Sequence, residues 1–198
     1  VYKRQVVYGG TNFHQLCTSK GGISMLYLNE NDILIREMRE PDPQIFSDEE
    51  IKQGWHASPD KYKMRIADQE KGDCLALTAE YKGAPAGYIN VYWNPPAGAF
   101  ANRNIPEIVD FGVLEKYRCR GIGRRLMDIA EKLAKTRSDT VCLGVGLHSG
   151  YGSAQRMYVK RGYVPDGTGV WYQNQICVPY GNCCNNDDFV LYLSKTLE

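Results

Sequence analysis

The sequence predicts a single α/β domain built on a mixed sheet with helices on both faces. Apolar, β-branched runs of strand length alternate with segments whose apolar residues recur at helical spacing. Strands come first and an αβα alternation follows, the order of an α/β fold. Neither a low-complexity linker nor an internal repeat breaks the 198 residues, a length that one core can serve.

The elements follow in order. Residues 33–38 (Ile33-Leu34-Ile35-Arg36-Glu37-Met38) read as the first strand. Ser47 with Glu50 three residues on has the pattern of a capping box and predicts a helix to about Trp55, and Ser58-Pro59-Asp60 opens another toward Asp68. Residues 74–80 and 87–93 are two strands of a hairpin that turns around Tyr81-Lys82-Gly83-Ala84-Pro85. The stretch Asn94-Pro95-Pro96-Ala97-Gly98-Ala99-Phe100 cannot continue a strand and predicts a loop. After it come a strand over 105–114, a helix over 123–134 with Leu126, Ile129, Ala130 and Leu133 on one face, and a buried strand over 141–145. A shorter helix over 153–160, a strand beginning at Tyr163-Val164, a polar excursion and a last strand over 189–193 complete the chain.

Charge excludes some functions. Lys and Arg number 24 against 23 Asp and Glu, so there is no global field for nucleic acid or an anionic membrane, and any anion site is local. No apolar run approaches a membrane span, and no secretory signal pattern opens the chain. Seven scattered cysteines read as free thiols in a reducing cytoplasm. The first 24 residues stand apart, because Lys20-Gly21-Gly22 is encodable by a purine-rich ribosome-binding sequence and Ile23-Ser24 gives a spacer before Met25. The expectation is a bacterial start at Met25, with 1–24 a translated leader or a flexible arm and 25–198 the domain.

The most informative stretch is Arg118-Cys119-Arg120-Gly121-Ile122-Gly123-Arg124-Arg125, a basic, glycine-punctuated turn between a strand and a helix. A helix start has unpaired N–H groups and a positive dipole end, which together bind anions. Gly121 and Gly123 leave room for a close ligand, and the arginines supply charge. The turn is equally readable as a solvated basic helix start with glycines that only bend the chain. A nucleotide-binding P-loop is the poorest fit, since Gly123 is followed by Arg124-Arg125 rather than Lys-Ser/Thr.

Two motifs in register narrow this. The segment Glu107-Ile-Val-Asp110-Phe-Gly-Val113-Leu-Glu-Lys-Tyr117-Arg118-Cys-Arg-Gly121-Ile-Gly123 resembles the central motif of the GNAT superfamily of N-acetyltransferases: a strand, a turn, Gln or Arg, two residues, Gly, one residue, and Gly or Ala at a helix start. Farther on, Ser153-Ala154-Gln155-Arg156-Met157-Tyr158-Val159-Lys160-Arg161-Gly162-Tyr163 resembles the family's Ala, three residues, Tyr, then a Gly-aromatic pair entering a strand. The resemblance implies a mixed, mostly antiparallel sheet splayed at the cofactor site. It also implies acetyl-CoA as donor, no metal, and direct transfer to a primary amine of a small molecule, peptide or protein. A coenzyme A binding or sensing module without efficient catalysis is the alternative.

Site roles carry over residue by residue. The resemblance places the cofactor's pyrophosphate over the amides of Arg118, Cys119, Arg120, Gly121, Ile122, Gly123 and Arg124, and its pantetheine arm along the backbone of Phe111 and Val113. Tyr158 is the candidate for stabilising or protonating the leaving thiolate, against a reading as core packing. Glu107 is the candidate general base, against a substrate-binding or solvated acid, with Asp110 as its substitute if the strand is bulged. The polar Asn often found three residues before the motif's Ala is Tyr151 here.

Other residues carry weaker signals. His148 reads as a surface residue, and the Cys177, Cys183 and Cys184 cluster lacks a metal-binding repeat. Cys119 in the anion turn is a candidate reactive thiol. Tyr88, Tyr92, Trp93, Phe100, Trp171 and Tyr172 are aromatic candidates for an acceptor pocket or for packing, with Trp93 and the Pro-rich loop favoured for substrate contact. Acidic Glu37, Glu40, Asp42, Asp48, Glu49 and the Asp187-Asp188 pair are candidates to attract a cationic amine. A homodimer through the C-terminal strand completes the expectations.

Overall fold

A computed structural model describes residues 15–19 and 22–198, which fall into two units: one runs to Asn90 and resumes over Asp110–Ala130, the other holds Val91–Val109 and Glu131–Glu198. In the first unit, β1 (Gln15–Ser19) and β2 (Gly22–Glu30) pair antiparallel from Gln15↔Leu26 to Ser19↔Gly22. Part of the segment expected as a leader is therefore strand backbone. Residues 1–14 and 20–21 lie outside the described residues.

β2 is followed by β3 (Ile33–Glu37), α1 (Asp42–Lys52), α2 (Pro59–Lys71), β4 (Cys74–Tyr81) and β5 (Ala84–Tyr92). The capping box expected at Ser47 is absent, because α1 begins earlier and buries Ser47 within its length. Its start is fixed by proline in the first turn and by Asp42, whose carboxylate accepts from the Arg39 amide and from the Arg36 guanidinium at 2.6 and 2.9 Å. Arg36 also reaches Glu80 at 2.7 Å and Asp42 accepts from Thr78, so buried charges pin the α1 start to β3 and β4. α2 starts as its sequence predicts: the Ser58 hydroxyl accepts from the Asp60 amide at 3.2 Å. It outruns the expected end at Asp68 and stops at Gly72, whose left-handed φ of 85° closes the last turn. Lys82 and Gly83, both at positive φ, make the two-residue turn between β4 and β5. Behind these strands Phe46, Tyr62 and Tyr88 pack ring on ring at 5.0–5.5 Å beside Met38, Ala76 and Leu114. Tyr88 is thus a core residue rather than a pocket wall.

Across the two units run β6 (Glu107–Val113), whose residues 107–109 belong to the second and 110–113 to the first, and α3 (Ile122–Lys135), which divides after Ala130. The second unit adds β7 (Thr140–Gly146), α4 (Gly152–Lys160), β8 (Val164–Tyr172), β9 (Gln175–Ile176) and β10 (Phe189–Thr196). The strand order is β1-β2-β3-β4-β5-β6 through the first unit and β6-β7-β10-β8-β9 through the second. β6 runs parallel to β7, over Glu107↔Cys142 and Ile108↔Leu143, while β10 pairs antiparallel with β7 and β8.

Two expectations fail here. The polar excursion after Val164 is the nine-residue strand β8, with β9 folded back on it through Gln173 and Asn174 at positive φ. Pro165, Gly167 and Gly169 hide that strand from a propensity reading, and a register shift between Leu191 and Leu193 of β10 accommodates it. Because β10 has partners on both edges, it offers no free edge for the expected dimer contact. Inside this unit the buried Glu131 of α3 accepts from Arg161, after α4, and from Lys195 of β10, both at 2.8 Å. Burial works to raise its pKa, yet the two cations outweigh it and hold the carboxyl below its usual range.

Candidate active site

In the first unit, the chain leaves β6 at Val113 and passes a 3-10 turn over Glu115–Tyr117 before α3 begins at Ile122. Cys119 and Gly121 both hold positive φ, 60° and 79°, which folds the backbone into a concave turn. Arg125 donates its amide to Gly121 O at 3.1 Å; among the described residues, no backbone acceptor is recorded for the amides from Cys119 to Arg124. These are the free donors that a helix N-terminus presents. Gly123 lets the turn lie close on β6, since a Cβ there would stand 3.1 Å from the Phe111 ring. β6 in turn crowds β5: a Cβ on Gly87 would meet Gly112 O at 2.8 Å, and one on Gly112 would meet the Tyr88 ring at 2.7 Å.

The arginines are arranged around this turn rather than across it. Arg118 reaches back to Val113 O at 3.4 Å and to Glu115 at 3.2 Å, and lies over the Trp55 ring. Arg120 lies over Tyr81, Arg124 sits 3.9 Å from Asp128, and Arg125 sits 3.7 Å from Glu30. The Arg118 contact means that Val113 O, expected to face the cofactor arm, has one lone pair engaged by the chain itself. Asp110 breaks the regularity of β6 with a φ of 49°, the bulge on which its candidacy as a base depended. Its carboxylate is gripped by Arg65 of α2 at 2.6 and 2.9 Å. That ion pair ties the β6 irregularity to α2.

In the second unit, the parallel register sets Glu107 beside Cys142. Both Cys142 and Tyr192 have raised pKa values, through burial first and then the Glu107 charge, and Tyr192 is pushed up to about 12. Tyr192 packs between Phe100 and Trp171 at 6.4 and 5.4 Å, and Gly98 of the Pro-rich loop leaves the space its hydroxyl fills. Sequence reading selected Glu107, Phe100 and Trp171 but missed Tyr192, whose strand pattern resembles plain core. Trp93, favoured there for substrate contact, has Arg137 stacked at 4.9 Å.

Tyr158 on α4 is buried, with its ring edge-on to Tyr163 at 5.7 Å. Burial first, and Tyr151 second, push its phenol above the ordinary range. No hydrogen bond from its hydroxyl is recorded among the described residues, whereas Tyr151 donates to Asp187 at 2.9 Å. The same carboxylate oxygen lies 2.9 Å from His148 Nε2, and His148 Nδ1 accepts from the Gly150 amide. His148 is thus an anchor rather than an idle surface residue. Hydrogen bonds from His148 and then Tyr151 lower the Asp187 pKa. Among the described residues, no cluster of three potential metal ligands occurs.

The profile of the acetyltransferase (GNAT) family matches residues 32–163, which include the amide-lined turn, Glu107 and all of α4. The chain belongs to this family. Its members transfer acetyl groups from acetyl-CoA, and the enzyme class of this chain is that of acetyl-CoA-dependent N-acetyltransferases. No curated protein sequence matches the chain significantly. Among solved structures, RimL, a ribosomal L7/L12 α-N-protein acetyltransferase, superposes with a TM-score of 0.68 at 10% identity, over 92% of this chain and 99% of its own. Salmonella typhimurium yncA, a putative acetyltransferase solved with acetyl-CoA, gives 0.59 at 17% identity, over 85% and 95%. Arabidopsis thaliana Naa50, bound to the bisubstrate analogue CoA-Ac-MVNAL, gives 0.58 at 16%, over 84% and 100%. At such identities the likeness is one of fold, and that fold is the GNAT fold. Its donor fits the first unit physically, because the amides from Cys119 to Arg124 suit an anionic diphosphate.

Proposed function

We propose that this acetyltransferase acetylates a primary amine by direct transfer, with the N-terminus of a peptide or protein as acceptor. The acceptor reading draws on the neighbours, since RimL acts on a ribosomal protein's α-amine and Naa50 was solved with a peptide-bearing analogue. The observation that carries the catalytic reading is Tyr158, a buried phenol with no recorded partner for its hydroxyl among the described residues.

Bound acetyl-CoA supplies an activated acetyl thioester. The amides of Cys119, Arg120, Gly121, Ile122, Gly123 and Arg124, with Arg118 at their edge, hold its diphosphate by hydrogen bonds and by the positive end of α3. Phe111 and Val113 offer backbone groups for an extended ligand arm, as an edge strand does for a peptide. Tyr158 donates its phenolic proton toward the sulfur, stabilising negative charge that develops as the acetyl group leaves. Glu107 takes the proton from the acceptor amine, directly or through water. Asp110, paired with Arg65, keeps the β6 bulge in place. The cysteine pattern supports a cytoplasmic setting, and among the described residues no helix is long and apolar enough to cross a membrane.

An acceptor panel of peptides with free N-termini, ε-amino lysine peptides, polyamines and aminoglycosides, read by thiol release, tests the assignment. Turnover is expected with free N-termini and is expected to collapse in Tyr158→Phe. Turnover confined to the small amines would overturn the acceptor reading, and no turnover with any amine, despite tight acetyl-CoA binding, would overturn catalysis.

A further inference from the structure

Cys177 and Cys183 were read from the sequence as part of a cysteine-bearing loop without a metal pattern. The structure brings their sulfurs to 3.2 Å, about 1.2 Å beyond a disulfide bond. The approach is built by the backbone. Cys177 donates its amide to Val170 O of β8 at 2.8 Å, which ties it to the sheet. Val178 O then accepts from Gly181 N at 2.9 Å, and with Tyr180 at a φ of 65° this turn folds the chain back so that Cys183 lies against Cys177. Four residues on, Asp187 is held by His148 and Tyr151, which tethers the far end of the loop. Both thiols are free, Cys183 is exposed, and Cys177 is partly so. Val178 and Tyr180, between them, are exposed as well, so the turn stands in solvent. The neighbouring Cys184 is also free and exposed, but no contact to either sulfur is recorded for it.

We propose that Cys177 and Cys183 form a dithiol modification site, closed reversibly to a disulfide by small-molecule disulfides such as glutathione disulfide. The exposed Cys183 thiolate attacks one sulfur of the reagent, breaking its S–S bond and releasing one glutathione thiolate, which takes up the proton that Cys183 lost. The Cys177 thiolate then attacks the Cys183 sulfur of that mixed disulfide. A second glutathione thiolate leaves and takes up the Cys177 proton, so two thiols and one disulfide become one disulfide and two thiols. The chain loses two hydrogens and gains no adduct. Closure is intramolecular and its geometry is largely preset, so the mixed disulfide at Cys183 is short-lived.

The test uses the full chain, equilibrated with glutathione disulfide, quenched with an alkylating agent and cleaved with chymotrypsin after the exposed Tyr180. Expected are two peptides joined by a bond from Cys177 to Cys183, restored to free thiols by dithiothreitol and unchanged in Cys184→Ser. In Cys177→Ser, Cys183 is expected to retain glutathione, because its resolving thiol is gone; activity and circular dichroism show that the variant is folded. Persistent glutathione on Cys183 in the unaltered chain, a bond from Cys183 to Cys184, or loss of the joined peptides in Cys184→Ser would each overturn the proposal. So would thiols that stay free at both positions.

Discussion

The turn at the head of α3 and the titratable side chains of the second unit, Glu107 and Tyr158 among them, are built by opposite means. The first is made of backbone: consecutive amides, two glycines and a helix end, with the arginine side chains turned to Val113, Glu115, Asp128, Glu30 and nearby aromatic rings. The second is made of side chains drawn from β6, β7, α4, β8 and β10, with titration shifted by burial and neighbouring charge. A backbone site suits a chemical class of ligand whatever the side chains at its rim. A side-chain site performs chemistry that single substitutions can remove.

That contrast is sharpest at Tyr158. Tyr158→Phe keeps the ring that packs on Tyr163 and removes only the proton donor, so kcat should fall by about 10²-fold or more while the dissociation constant for acetyl-CoA stays within about twofold. Steady-state kinetics alongside calorimetric binding measures both. Glu107→Gln should follow with about a tenfold to 10²-fold loss in kcat, again without loss of donor affinity. If both variants cost little in turnover, the contrast breaks and a coenzyme A binding module is left.

The turn should behave in the reverse way. Gly123→Val drives a branched side chain into the Phe111 ring and forces the turn away from β6, and the lost contacts, about 2 kcal/mol, weaken acetyl-CoA binding about 30-fold. Saturating donor should restore most of kcat; a kcat defect that survives saturation would mean that the turn also shapes the chemistry. Arg118→Ala should change donor affinity only a few-fold, because this exposed guanidinium already serves Val113 O and Glu115.

Stability offers a control on the side-chain half. Glu131→Gln leaves Arg161 and Lys195 without their carboxylate and should cost about 3 kcal/mol in urea unfolding at neutral pH. The folded pKa of Glu131 is depressed, so its contribution is present above the unfolded value of about 4.3 and is lost as pH falls through the lower folded value. The difference between the two proteins should therefore shrink on acidification. A difference independent of pH would assign the loss to packing instead.

How far the sequence could be read follows from the same division. The hairpin of β4 and β5, the cap at Ser58, α3, β7 and α4 were legible because each depends on residues near one another in the chain. Ser47 misled because a capping pattern is local while the helix start was fixed by a buried ion pair with Arg36. The start of β8 at Tyr163-Val164 was legible but its length was not, because β10 and β9 supply its partners and override Pro165, Gly167 and Gly169. Among site residues, the turn was legible from glycine spacing. The roles of Tyr192 and of the Asp187 link to His148 and Tyr151 were not, since their partners are separated by dozens of residues.

By itself, then, the sequence determined the family, the donor and the glycine-punctuated turn at the head of α3, because those rest on short-range spacing that the backbone translates directly into geometry. Tertiary structure decided the rest. It paired Asp110 with Arg65, closed both edges of β10, buried the Tyr158 phenol and set Cys177 against Cys183. Each of these is a matter of which distant groups come within a few ångströms, and charge, burial and hydrogen bonding act only across such distances.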